Sequence, residues 1–525
     1  MNWSLGDIAD LRVEGISEEV SSELKDLLTV WRSRWEKNYR RTLYCDTEQE
    51  FKNIGIALPP KMSRTRYVLG WAGQAVKKPA MRSQFDGLRM PGSEDPFELG
   101  ETLYANRFGL EFSQAIQSAY KHGVAFVTVA AGREGEPPVQ IIGHSAEAAS
   151  GIWDARNRCL RSAVTITDTD VEGKPTEFVV WLRDEVVTCT SDGGRWSAES
   201  VPNPTGRVLC VPVVNDPELT SPMGRSRLTN SVMVLNDIAV RTMARMEGNA
   251  EFYSSPQLAV LGADPDAFSG LSSDAKFKLA MDRILALSKD EDGDTPSLTQ
   301  LSQATMTPHS DMIRTVAMAF AGETGIPPSS LGVIHDQPAS AEAIRAAEHD
   351  LLIDVLRMNR SVLPFAVKEI AGLAVMVRDG ATEPPPELWR VSVSFADPEF
   401  RSLSAEADAV QKLASMMPTI SNYPVLLERL FDSGEVERIQ ADNRRSEVSS
   451  FMEQVAQRAA TPRATAAEGD RGPVTEDPAG TPPQAPERPT PPRVAAKPAP
   501  ESADTEDEKD EKVEKPGDKP GSTTT

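Results

Sequence analysis

Apolar residues recur at steps of three or four along much of this chain, and the longest such stripe runs Ile344, Ala347, Leu351, Val355, Met358, Val362, Phe365. That period places one face of a long helix against a core. Ser340 stands where its N-cap belongs, and Glu342 falls in the first turn, where the helix dipole favours a negative charge. Pro364 lies inside the stripe and is expected to kink it. Just upstream, Ile313, Val316, Ala317 and Phe320 predict a helix over 311–320. Gly322 and Gly325 break that helix, and Pro327 and Pro328 forbid its continuation, because proline lacks the amide donor and clashes with the preceding turn. Helix, tight Gly/Pro loop over 329–338, then long helix is the pattern around which the rest is arranged.

The same period predicts helices over 16–41 (Val20, Leu24, Leu27, Leu28, Trp31, Trp35), 67–76, 106–122 (Phe108, Phe112, Ile116, Tyr120) and 228–252 (Leu228, Val232, Leu235, Ala239, Thr242, Met246). The last is about 37 Å long at 1.5 Å per residue. Between 125 and 212 the texture changes to strands, at 125–130, 139–142, 160–167, 177–182, 185–190, 196–201 and 208–213. Turn signals around Gly173, Gly193 and Gly206 separate them, the pattern of an antiparallel meander. Residues 253–308 predict a strand at 257–261, a helix at 273–282, a strand at 283–287 and an acidic loop at 289–294. Beyond Gly380 come a stiff Pro384–Pro386 connector, a strand at 389–395, and helices at 403–417, 424–438 and 446–458. Loops are expected at Pro59-Pro60 and at 91–96.

The spacing of several blocks resembles tailed-phage portal proteins, specifically the Gp6-like portal family of long-tailed phages. The first block is Phe320-Ala-Gly-Glu-Thr-Gly-Ile-Pro-Pro-Ser-Ser-Leu-Gly332, followed by Ser340-Ala-Glu-Ala-Ile344 opening a long helix. Upstream, Gly224-Arg-Ser-Arg-Leu-Thr229 leads into another. Downstream, Phe395-Ala-Asp-Pro398 and Ser404-Ala-Glu-Ala-Asp-Ala409 follow a strand. By order of elements the resemblance spans roughly 25–455, and the order and spacing of the blocks carry it more than any one of them.

The resemblance implies an α+β, mainly α subunit: a wing over 1–225 (helices, then the meander), a stem helix at 226–252 and a clip at 253–308. A second stem helix follows at 309–325, then a tunnel-loop region at 326–340 and a long kinked helix with a wing strand at 341–400. Crown helices occupy 401–460, and a disordered tail 461–525. It implies a dodecameric ring at the unique capsid vertex, made in the host cytoplasm and retained in the virion. Terminase drives double-stranded DNA through such a ring during packaging, and the DNA leaves through it at ejection. The implied partners are further copies of the chain, the terminase large subunit, major capsid and scaffolding proteins, and a head-completion or adaptor protein, with DNA bound without sequence specificity. Leu331, Val333, Ile334, His335 and Gln337 are the tunnel-loop candidates, and Arg241 and Arg245 the stem-helix candidates that would pair with acids of a neighbouring subunit. Two readings of the loop stay open: apolar residues tucked inward at an ordinary helix connection, or a smooth apolar surface offered to DNA. A minor head or adaptor protein without a channel is the alternative for the whole.

Composition fits a conduit. The formal charge is −22, the wrong sign for clamping a duplex through its phosphates, although Arg225, Arg227, Arg241 and Arg245 form a local exception. The last 65 residues hold 13 prolines and no aromatic residue, and 14 acids against nine bases, a composition that cannot offset its chain entropy by burial. Cys45, Cys159, Cys189 and Cys210 are widely spaced with no CxxC pair, which disfavours both a zinc ribbon and a disulfide framework and fits a reducing compartment. There is no signal-peptide pattern and no apolar run of membrane-spanning length, so no membrane role is expected. Catalytic signatures are missing: no phosphate loop, no HExxH, and no closing glycine after Gly224-Arg-Ser-Arg-Leu. His122, His144, His309, His335 and His349 lack metal-ligand spacing, and Asp290-Glu-Asp-Gly-Asp294 lacks the closing glutamate of a calcium loop. The chain is expected to be no enzyme and to need no cofactor or metal.

Overall fold

A computed structural model describes residues 3–50, 66–93, 95–254, 258–261, 297–300, 305–333, 341–399 and scattered positions from 408 to 445. The N-terminal half is built on helix α2 (Glu18–Cys45), which follows the short α1 (Leu5–Ala9) and the two-residue β1 (Val13–Glu14). Ser17 caps α2 by accepting from the Val20 amide at 3.2 Å. At 28 residues α2 is about 42 Å long and reaches two cores.

Its first half, through Val20, Leu24, Leu27, Leu28 and Trp31, packs with Trp3 and Ile8 against Val164, Ile166, Phe178, Val180 and Val187. Those residues belong to a six-stranded sheet ordered β1-β9-β8-β7-β6-β5, with β5 at Ala149–Asp154, β6 at Cys159–Thr169, β7 at Pro175–Trp181, β8 at Glu185–Asp192 and β9 at Arg195–Pro202. Neighbours from β5 to β9 are antiparallel, and β1 adds parallel to β9. Gly193 and Gly194 both sit at positive φ between the paired Asp192 and Arg195, the conformation a two-residue hairpin demands.

The expected single meander is therefore divided. Strands β3 (Val124–Ala131), β4 (Val139–Ser145) and β10 (Cys210–Val214) leave it for a separate sheet ordered β10-β3-β4. The reason lies in β3, buried at six consecutive positions rather than alternate ones. Such a strand needs cover on both faces. Helix α5 (Phe108–His122) and helix α9 (Leu363–Asp379) both pack on it. Around this centre lie α3 (Trp71–Ala80), α4 (Gly100–Ala105) and the antiparallel pair of β2 (Phe85–Arg89) with β13 (Ser392–Phe395). β5 and β2 escaped the sequence reading, since Ala149-Ser-Gly and the glycine-bearing Phe85–Arg89 lack the β-branched alternation that marks a strand.

Helices α6 (Asn230–Ser254) and α7 (Thr307–Thr324) pair with each other, and α8 (Ala341–Arg357) follows. Strand β11 (Leu258–Leu261) pairs antiparallel with β12 (Ser297–Gln300). The helix and strand expected at 273–287, the acidic loop, the tail and nearly all of the expected crown helices lie outside the described residues. No helix among the described residues is long and apolar enough to cross a membrane. All four cysteines are free.

The long stripe needs correction at both ends. Leu351, Val355 and Met358 are buried as expected, but Ile344 and Ala347 in the first turns are exposed, and Phe365 is 72% exposed. Residues Met358–Val362 form a π-helical turn, in which the Leu363 amide donates to the Met358 carbonyl. Pro364 cannot donate to Arg360 and its ring crowds that carbonyl, and the wider turn accommodates it. The extra residue advances the buried face by one position. Beyond the turn the core residues start at Leu363, Ala366 and Val367, and from Ile370 to Met376 every residue is buried.

Candidate functional site

The Gly224-Arg-Ser-Arg-Leu-Thr229 block is a junction on which α5, α6, α7 and α8 converge. Gly224 has φ +73, and a Cβ there would come within 2.3 Å of the Asn215 carbonyl and 2.4 Å of the Gly123 carbonyl. The Ser226 hydroxyl donates to the Lys121 carbonyl at 2.5 Å and accepts from the Leu228 amide at 2.9 Å. Leu228 is fully buried, and Thr229 caps α6 by accepting from the Val232 amide at 3.2 Å.

Arg227 holds the junction together. Its Nε donates to the Ala75 carbonyl at 3.0 Å, its Nη2 to the Thr324 carbonyl at 2.6 Å, and its Nη1 to the Asp354 carboxylate. The guanidinium also lies 5.8 Å from the centre of the Tyr120 ring. One head group thereby ties α3, the C-terminal end of α7 and the last turn of α8. Two further ion pairs fasten α8: Arg82–Glu348 at 3.0 Å and Arg357–Asp216 at 2.7 Å. Leu351, Val355 and Met358 pack between these polar rungs.

Helix α7 ends at Gly325 in the left-handed region, and the chain enters a 3-10 turn, Pro328–Leu331. Gly332, at φ +81, donates to the Ser329 carbonyl, and Val333 to that of Pro328. Leu331 is buried, its carbonyl accepts from Trp71 Nε1 at 3.0 Å, and Trp71 packs on Phe320 with ring centres 5.6 Å apart. Val333 is half-buried against the same core. Of the five loop candidates, these two thus tuck inward at the root of the loop. Ile334, His335 and Gln337 lie outside the described residues, as does the predicted Ser340 N-cap.

The stem candidates Arg241 and Arg245 are half-buried on α6, and neither makes an ion pair among the described residues. Arg241 stands near Tyr44, whose hydroxyl donates to Asp237 at 2.9 Å. Burial, then that hydrogen bond, pushes the Tyr44 phenol up to about 12. Exposed apolar side chains are spread over the same helices, with Val234 and Met243 on α6, Met318 on α7, Ile344 and Ile353 on α8 and Phe365 on α9. Among the described residues no group of three or more His, Cys, Asp or Glu side chains could hold a metal ion.

The fold thus mixes helices and strands, and its helices meet at the Gly224–Thr229 junction beside the Gly/Pro loop. The family model "Phage portal protein, SPP1 Gp6-like" matches residues 36–448, and the chain belongs to that family. The portal protein of Mycobacterium phage D29 is 28% identical over 397 residues, covering 71% of this chain and 78% of its own length. The portal protein of Mycobacterium phage L5 is 28% identical over 398 residues, covering 71% and 77%. A solved structure, the neck of a native GTA particle computed with C12 symmetry, aligns at TM-score 0.36 and 14% identity over 70% of this chain and 89% of that one.

Proposed function

We propose that the chain assembles into a dodecameric ring at the unique vertex of a tailed-phage capsid, as the conduit for double-stranded DNA in packaging and ejection. Membership of the phage portal family over 36–448 carries this reading. The exposed apolar residues of α6 to α9, among them Val234, Met318, Ile353 and Phe365, are the surface this reading assigns to subunit contact. In the ring these residues meet the neighbouring subunit. The α6–α7 pair acts as stem, β11 and β12 belong to the clip, and the N-terminal lobes form the wing.

The tunnel-loop region is 326–340, rooted in the core by Leu331 and Val333. Ile334 offers an apolar surface, with His335 and Gln337 making occasional contacts to phosphate or water. The chain's net charge of −22 repels the duplex, so DNA is centred rather than gripped. Nucleotide hydrolysis belongs to the terminase large subunit. The major capsid and scaffolding proteins hold the ring, and a head-completion or adaptor protein docks on it.

Negative-stain imaging of the purified full-length protein, with its mass in solution, tests the assembly. Rings of about a dozen subunits with an open centre support it, and a small closed oligomer without a channel overturns it. Ile334→Asp is expected to leave such rings intact while impairing packaging in a reconstituted system. Unchanged packaging would remove Ile334 from the channel wall.

A further inference from the structure

Away from the loop, a cavity of about 500 Å³ opens between α2, β5 and the junction, lined by Arg34, Lys37, Arg41, His122 and Arg225 among others. In a chain of net charge −22, no carboxylate among the described residues lines it. Two acids stand near: Glu218, already paired with Arg225 at 2.6 Å, and Glu147, 3.8 Å from His122 Nε2.

Arg41 is the anomaly. Its guanidinium is largely buried, yet among the described residues it makes no ion pair. It donates only to the Asn38 side-chain oxygen at 3.2 Å and the His122 carbonyl at 2.7 Å, and its Nε has no partner. A buried cation without a counter-ion is costly, and proteins ordinarily pair it. Beside it the His122 side chain is fully buried, and among the described residues neither ring nitrogen makes a hydrogen bond. Burial, then Lys121 and Arg41, holds that imidazole neutral, its pKa lowered to about 3, which leaves it one N–H to donate. Lys37 is pulled down chiefly by Arg41, then by burial and Arg34, as crowding among uncompensated cations requires. The first turn of α6, at Thr229 and Asn230, adds its positive dipole end to the same space.

We propose that this cavity is an oxyanion site in which Arg41, with Arg34 and Lys37 at the mouth and His122 in the wall, receives a phosphate-like or carboxylate group. The space exceeds the volume of one orthophosphate and leaves room for bridging water. Two sources share this chemistry: a free inorganic oxyanion, or an acidic side chain of a second copy of the chain seated in the cavity on assembly.

Thermal unfolding of the unassembled full-length protein, titrated with orthophosphate to ~50 mM against chloride at constant ionic strength, tests the site. A saturable rise in melting temperature of at least about 2 °C is expected. Arg41→Met should abolish that rise, measured against its own starting melting temperature, because the variant also loses the donor to the His122 carbonyl. Arg34→Gln with Lys37→Gln, both at exposed positions, should weaken phosphate binding several-fold in a chain that folds normally. Persistence of the phosphate effect in assembled rings assigns the site to a free anion. Its loss there, together with impaired assembly of the Arg41→Met protein, assigns it to a neighbour's carboxylate. No phosphate effect on the unassembled wild type, or an undiminished effect in Arg41→Met, overturns the proposal.

Discussion

Replacing Arg227 with methionine probes how the helices around the loop are held. Methionine keeps an unbranched stem over Tyr120 and removes the head group, so the Ala75 carbonyl, the Thr324 carbonyl and the Asp354 carboxylate all lose a donor. A hydrogen bond from a charged group contributes about 1.5–3 kcal/mol, and a buried acceptor left unsatisfied costs about 1–3 kcal/mol. The Asp354 side chain is 39% exposed and regains water, so its share falls below about 1 kcal/mol. The two carbonyls dominate, and the expected loss is about 3–4 kcal/mol. Asp354→Asn should cost about 1 kcal/mol or less, since it leaves both carbonyl bonds in place. Urea unfolding followed by tryptophan fluorescence measures both, with Trp71 near the perturbed region as one reporter. A loss below about 1 kcal/mol for Arg227→Met, or equal losses for the two variants, would refute the clamp.

Three further outcomes are expected. Burial lowers the pKa of His122 to about 3 and that of His144 to about 4, while in the unfolded chain both take a proton near 6.5. The unfolded state therefore binds more protons below that pH, and stability is full above about 6.5 and falls as pH drops toward 4. The loss is about 2 kcal/mol per imidazole at pH 5, and equal urea midpoints at about pH 7.5 and 5 would contradict it. Gly224→Ala forces a side chain against two carbonyls at positive φ and should cost at least about 2 kcal/mol, read from the same unfolding curves; a neutral result would remove the steric argument. Deleting Ser361 takes one residue from the π-turn and should rotate the apolar face of α9 out of the core, abolishing soluble folded protein, whereas a cooperative unfolding transition in the deletion variant would show that the turn does not set that face.

Much of this protein was legible in its sequence because helix period and strand alternation are local properties of a chain. Val20, Leu24, Leu27 and Trp31 announced α2, and Phe108, Phe112, Ile116 and Tyr120 announced α5, each buried as its spacing required. Gly325 and the two prolines after Ile326 end α7, since backbone sterics need no tertiary partner, but the helix runs through Gly322 to Thr324, past its expected end at 320. The portal resemblance was likewise carried by the order of short blocks. Other features needed the fold. Arg227 and Asp354 are separated by 127 residues, and no spacing rule joins them. Phe365 fell on the predicted stripe and faces outward, because a single π-turn shifts the phase of everything after it. Pro364 was the available signal, but a proline announces an interruption without saying what form it takes. Arg41 carried no signal in the sequence beyond closing the predicted helix over 16–41. Only the packing of α2 against α5, β5 and the junction decided that its charge is buried without a counter-ion, because burial depends on what lies across space and not on neighbours along the chain.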